Sequence, residues 1–596
     1  MSDDASRPLR VGQFSAYYGD RASAIAELIA SDCDILAGDY LAELTMLVLR
    51  KNQLRGGVGY AEGFLSQIGD NLGAIAARGI KVITNAGGLD PEACASALRD
   101  ACASAGLDLT VAAVTGDNQL DRLEHLRDRG VPLEHLDTTE TLDISTTQVL
   151  TANAYLGAWP IVEALTQGAD IVVCPRVTDA ALVIGPAAWH FGWKHDEWDK
   201  LAGALAAGHV IECGCQATGG NYSLFDRHPD LGLPGMPIAE IESDGSSVIT
   251  KSAASGGVVD GGTVRAQLLY EVGSPLYHNP DVIADLSSCT VAEIAPNRVR
   301  VSDTRGLPPT DNLKLSLSYE GGYRNQVTIG LTGGRISEKE AWLRNQVIDA
   351  VGDETQFDSF RWTRIGPMSS DGGTYDESTA LVVINARDRS REKVSRAKFS
   401  DRITQLGTSS IPGFYTFTPP ARERLVGIQW PCLIPKSSVA VEVVIDGKRT
   451  PVPWPPAPSE SSRRSKREST VTAVNWSDEP TSTTRLDTLV GTRSGDKAGT
   501  ANVGVWVDSD EAFDWLRAYL TIETFLKLVP EAAALRVVRH EFPNLNALNF
   551  LVHGWLEDGV ASCTRIDAQA KGLGEYLGAQ HAPIPDKLLA NSTSSS

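Results

Sequence analysis

Apolar and polar positions follow two rhythms along the first half of the chain. Short apolar runs at Arg10–Ala16, Asp34–Ala37, Lys81–Thr84, Leu109–Val114 and Asp170–Cys174 predict strands. Helical spacing lies between them, as from about Arg21 to Ala30 and from Pro91 to Ala105, where Pro91 suits a first helical turn. Strands alternating with helices predict a largely parallel sheet covered by helices.

From about Ser247 to Ile445 the pattern turns more β-like. Runs at Ser247–Thr250, Arg298–Val301, Leu313–Tyr319, Gln326–Leu331, Leu381–Asn385 and Val439–Ile445 carry it. The fold class is therefore α/β: a large parallel-sheet core over 1–450 that continues into a β-rich portion. The proline-rich stretch PVPWPPAPSE opens a linker over 451–482, since proline favours extended, helix-free backbone. The basic run at 463–467 within it reads as solvated linker rather than as a nuclear address. Residues 483–590 predict a small α+β domain. Its strands fall at Val503–Val507, Leu535–Glu541 and Ala547–His553, and its helices at Asp510–Lys527 and Ala568–Leu577. The polar tail 591–596 predicts disorder.

Composition narrows the function classes. With 596 residues, 42% of them hydrophobic, the chain can bury a large core. A net charge of -21 repels phosphate backbones and anionic bilayers, so neither nucleic acid nor membrane is an expected partner. An anionic small molecule would need a local basic pocket. Nine scattered cysteines do not predict a disulfide scaffold. The first residues lack an apolar signal segment, and no run approaches the ~20 apolar residues of a membrane span. A cytoplasmic protein is the simplest expectation.

The strand-like runs end in Tyr18-Gly19-Asp20, Gly38-Asp39-Tyr40, Asn85-Ala86-Gly87-Gly88, Thr115-Gly116-Asp117-Asn118 and Arg176-Val177-Thr178-Asp179. Ligands of parallel α/β sheets bind at the carboxyl ends of strands, so these endings predict one shared crevice. Taken singly, each is equally a turn or a helix cap. Familiar fingerprints are missing. Gly491–Ala498 departs from a phosphate-binding loop at Asp496 and Ala498. There is no G-x-G-x-x-G after a strand, no G-x-S-x-G elbow and no H-E-x-x-H, and Cys213-Gly214-Cys215 lacks a second pair for zinc.

Several stretches together are similar to the acyclic terpene utilisation (AtuA) family. They are FSAYYGDR from Phe14, AGDYLAELTM from Ala37, NAGGLDPEAC from Asn85 and TANAYLGAWPIVEAL from Thr151. RVTDAALVIGPAAWHFGW from Arg176, GHVIECGCQATGGNYS from Gly208 and GGYRN from Gly321 complete the set. RSGDKAGTANVGVW and LNFLVHGWLEDG resemble the small ferredoxin-like domain often attached to that core. The resemblance implies an AtuA-like core, a ferredoxin-like α+β domain, and a link to catabolism of branched isoprenoid acids, whose intermediates are acyl-CoA thioesters. It implies no defined chemical step.

Residue chemistry supplies candidates. Asp39 and Glu43 share a face if a helix begins at Asp39, and two close carboxylates can divide acid and base roles or hold Mg²⁺; no other cofactor is indicated. Asp179 and His190 are further catalytic candidates, Asp179 being equally a helix cap. Arg176 can clamp a carboxylate or phosphate, with Asn85 beside it. Gln216, Thr218 and Asn221 can donate to a thioester carbonyl, and Gly219 and Gly220 allow close backbone approach; a self-satisfied turn is the alternative. No metal ligand set is expected.

These readings favour an enzyme acting on an acyl thioester or related branched carboxylic acid by acid/base chemistry, in the form of hydration or dehydration. Thioester or lactone hydrolysis is the catalytic rival. A non-catalytic scaffold or binding subunit of a carboxylase-type complex is the other class. A symmetric homo-oligomer is the default for such an enzyme.

Overall fold

The computed structural model describes residues 7–367, 373–456, 476 and 479–592. Most of the predicted linker, including the basic run at 463–467, lies outside the described residues, as do residues 593–596 of the predicted tail. Pro451 and Val452 complete the Lys448–Val452 strand, and Asn591 and Ser592 complete the last helix, Asp586–Ser592.

An eleven-stranded mixed sheet organises the core. Its five central strands, in the order Leu9–Ser15, Ile35–Gly38, Lys81–Thr84, Ile171–Val173 and Val111–Thr115, are mutually parallel. Alternate residues of these strands feed different cores: Ile83 and Val172 enter one apolar cluster, Val82, Ile171 and Val173 another. Burial of both faces is what makes these strands near-continuous apolar runs. The parallel arrangement stops at the centre. Four antiparallel strands from Pro237–Ile241 to Thr290–Ala295 extend one side, and Val441–Ile445 with Lys448–Val452 extends the other.

The β-rich portion is built on one strand of 21 residues, Asn312–Thr332. It joins the two runs Leu313–Tyr319 and Gln326–Leu331 that the sequence separates. Leu313, Leu315 and Leu317 alternate inward. The register then shifts between Glu320 and Tyr323, where Gly322 adopts φ 86. A Cβ at Gly322 would meet the Asp388 carbonyl at 2.5 Å, so the bulge requires glycine there. This strand pairs with Val149–Ala154 and so touches the loop that follows that strand.

At the C-terminal end, four antiparallel strands run Gly491–Lys497, Thr500–Trp506, Ala547–Val552 and Val537–Phe542. The predicted helix over Asp510–Lys527 is two helices, Asp510–Tyr519 and Ile522–Leu528. Thr521 divides them because its side chain caps the second by accepting from the Thr524 amide. One face of this sheet lies on the core. Gly495 and Gly504 present no side chain there, and Tyr270 and Leu269 fill the space a Cβ would take. Among the described residues, no helix is long and apolar enough to cross a membrane.

Candidate functional site

Four of the five strand endings meet. Asn85 donates to the Asp39 carboxylate at 2.6 Å and accepts from the Tyr40 amide at 2.7 Å. The Arg176 amide donates to Asp117 at 3.2 Å, and the Arg176 side chain reaches back to the Leu41 carbonyl at 2.8 Å. The fifth ending closes on itself, since Asp20 accepts from the Ala16 and Arg21 amides.

Arg176 is the centre of this cluster, 3% exposed. It pairs with Asp179 at 2.8 Å, donates to the Tyr155 hydroxyl at 3.0 Å and lies 4.2 Å from the centre of that ring. Its Nε has no partner among the described residues. Tyr155 in turn donates to Glu43 at 2.6 Å, and Lys314 donates to the same carboxylate oxygen at 3.0 Å. Lys314 is brought in by the long strand, whose carbonyl at that residue accepts from the Tyr155 amide at 2.9 Å.

The carboxyl groups of this cluster are driven in opposite directions. Burial opposes ionisation of Glu43, but Lys314, Arg176 and the Tyr155 hydroxyl overcome it and hold the group well below the usual carboxylate range. Asp39 is pushed well above that range, first by burial and then by Asp179, against the pull of Arg176. Glu212 is also pushed well up, by burial, Asp179 and Glu271. Glu212 contacts His209 at 2.9 Å, and burial lowers that imidazole to about 4. Both shifts run towards the neutral forms, which favours a hydrogen bond over an ion pair at this contact.

The C-terminal sheet adds to the cluster. Lys497 is half-buried, donates to the Glu271 carbonyl at 2.7 Å and lies 5.7 Å from the Tyr277 ring centre. Burial and then Lys314 push its ammonium towards the neutral amine, against Glu271, Glu43 and Glu212. Asp496, next along the strand, is raised to about 7 by burial and by Glu271.

Several sequence expectations need correcting in geometry. The helix after Asp39 is Glu43–Gln53, so Asp39 lies in the preceding loop and the two carboxyls do not share a helix face. They meet through Arg176. Asn85 and Lys314 engage them; among the described residues no group of three or more His, Cys, Asp or Glu side chains is placed to hold a metal. Asp179 is the ion-pair partner of Arg176 and not the cap of Ala181–Phe191, whose N-cap is Ala180. His190 is in the last turn of that helix, edge-on to Phe191, about 14 Å along the axis from the end of the helix that adjoins the cluster.

Cys213 precedes, and Cys215 lies within, a short 3-10 turn, Gly214–Thr218. Thr218 is buried and its hydroxyl reaches the Cys215 and Gly235 carbonyls, so it serves its own turn. Gln216 accepts from Arg493, and the Asn221 carbonyl accepts from Arg493 at 3.4 Å. Gly219, at φ 102, and Gly220 form the bend between them. This turn therefore faces the C-terminal sheet and not Arg176.

Tyr155, Lys314, Glu212, His209, Glu271 and Lys497 are the members that residue-by-residue reading missed. Lys497 sits in RSGDKAGTANVGVW, a stretch that carries the family resemblance without marking the lysine.

Residues 9–445 match the family model described as acyclic terpene utilisation family protein AtuA, and residues 484–583 the model described as AtuA ferredoxin-like domain. No curated protein and no solved structure matches the chain.

Proposed function

Because the chain belongs to the AtuA family of acyclic terpene utilisation, we propose that it is an enzyme that adds water to, or removes it from, a branched acyl thioester or related carboxylic acid. One observation carries the reading: carboxyl groups of one cluster are pushed in opposite directions, Glu43 towards its ionised form by Lys314 and Arg176, Asp39 and Glu212 towards their protonated forms by burial. Environments that separate the pKa values of neighbouring acids mark out a base and an acid.

In the hydration direction, Glu43 takes a proton from water as its oxygen attacks C3 of an unsaturated acyl group. The π electrons move onto the thioester oxygen, where Arg176 and the Lys314 ammonium supply donors to the enolate. Glu212 then gives its own proton to C2, and proton exchange with solvent clears Glu43 and reprotonates Glu212 for the next turnover. Acid/base groups placed in this way each contribute about 10²–10⁴-fold.

Mass spectrometry tests the reading. The full chain is incubated with saturated, unsaturated and 3-hydroxy branched acyl-CoA esters. A gain or loss of one water that disappears in Glu43→Gln is the expected result. Release of free CoA would replace the reading with hydrolysis. Unchanged esters, together with pathway function retained in Glu43→Gln and Arg176→Met, would leave a scaffold or binding subunit.

A further inference from the structure

A cavity of about 380 Å³ lies between the glycine-rich turn and the C-terminal sheet. That size falls at the lower end of small-molecule sites. Two cations stand on it, in a chain whose net charge is -21. Arg493 is 5% exposed, with its guanidinium 4.2 Å from the centre of the Tyr270 ring. Its Nε has no partner among the described residues. Lys571 lies over the same ring at 4.6 Å and donates to the Tyr270 hydroxyl.

The rest of the lining fits one kind of occupant. Glu575 is the carboxyl on the cavity wall, exposed at its rim and close enough to feel the charge of Arg493. The opposite wall is apolar: Tyr222, Leu231 and Phe225, the last 61% exposed. Three apolar side chains facing two cations suit a molecule with an anionic head and an apolar body.

We infer that this cavity is a binding site for an organic anion, its phosphate or carboxylate head held by Arg493 and Lys571 and its apolar part by Phe225 and Leu231. Both halves of the protein build it, so it forms only when the C-terminal sheet is docked. The inference does not depend on the reaction proposed above.

Titration calorimetry on the full chain tests it with three probes: inorganic phosphate, coenzyme A, and a 3-methyl-branched medium-chain carboxylate. Binding of phosphate and coenzyme A assigns the head to a phosphate; binding of the carboxylate alone assigns it to a free acid. In either case Lys571→Gln, at a partly exposed position, weakens binding at least tenfold with folding intact, and Arg493→Gln weakens it further. Phe225→Ala weakens the carboxylate or coenzyme A and leaves inorganic phosphate unchanged. No binding of any probe, or affinities that Lys571→Gln and Arg493→Gln leave unaltered, overturns the inference.

Discussion

Lys497 donates to the carbonyl oxygen of Glu271 at 2.7 Å across a sequence separation of 226 residues. Glu271 adopts φ 58, a left-handed backbone unusual for a non-glycine residue. Its own amide donates to Asn502, on the next strand of the same C-terminal sheet, at 2.8 Å. The sheet thus holds the two peptide groups on either side of one core residue and places an amine among Glu43, Glu212 and Lys314. A module that only joined subunits would have no need to reach this cluster.

Lys497→Met keeps the length of the side chain and removes the amine. Burial already disfavours the charge there, so the unfolding midpoint in urea should move little. Turnover of the responding acyl-CoA ester should fall by about 10²-fold or more, the scale for removing a positioned acid or base. Unchanged turnover would make Lys497 a docking residue only.

Gly495 tests the docking itself. A Cβ there would meet the Tyr270 ring at 2.2 Å. Gly495→Leu should therefore lift the C-terminal sheet from the core, pulling Trp506, Phe542 and Ala547 out of the cluster they share with it and leaving the C-terminal module's own core intact. Limited proteolysis should then cut the exposed face faster, and activity should be lost with little change in far-ultraviolet dichroism. Parent-like digestion would mean that the interface yields to the added side chain.

Arg176→Gln removes a buried cation from Asp39, Asp179 and Glu43. Breaking a buried pair from one side typically costs about 3–5 kcal/mol, because the remaining charge stays unpaired. Without the guanidinium, the carboxyl groups should bind protons more readily in the folded state. The loss should therefore be largest at neutral and higher pH and shrink as the solution is acidified. Urea titrations at pH 5 and pH 8 separate this from a packing defect, which would cost the same at both.

How much of this was legible follows from where each signal lives. The parallel strands were, because burial of both faces writes itself as apolar runs such as Lys81–Thr84, whose bounds match the structure. The convergence of Asp39, Asn85, Asp117 and Arg176 followed from the rule that such strands end on one side. The antiparallel flanks were not legible, since an apolar run such as Val441–Ile445 does not state its partner or direction. Lys314 was hidden for a related reason: in an alternating strand it reads as an outward polar position, and only pairing with Val149–Ala154 turns it onto Tyr155. Lys497 and Glu271 were hidden by distance along the chain. His190 misled because a helix can carry a residue far from the motif that begins it.

Asp117 offers a pH test that does not depend on the reaction. It is fully enclosed, and burial raises it to about 7 although Asn153 donates to it at 2.7 Å and the Arg176 amide at 3.2 Å. Unfolded, an aspartate titrates near 3.9. Between those values the folded protein binds a proton that the unfolded chain does not. Stability contributed by this group is therefore complete below about pH 4 and is lost as pH rises through 7, at no more than about 1.4 kcal/mol per pH unit. Asp117→Asn copies the protonated form and removes that dependence. Its thermal midpoint should equal the parent's near pH 4 and exceed it by a few degrees at pH 8. Melting curves for both proteins over that range decide the matter: parallel curves would mean that Asp117 is ionised in the fold, with Asn153 and the Arg176 amide outweighing its burial.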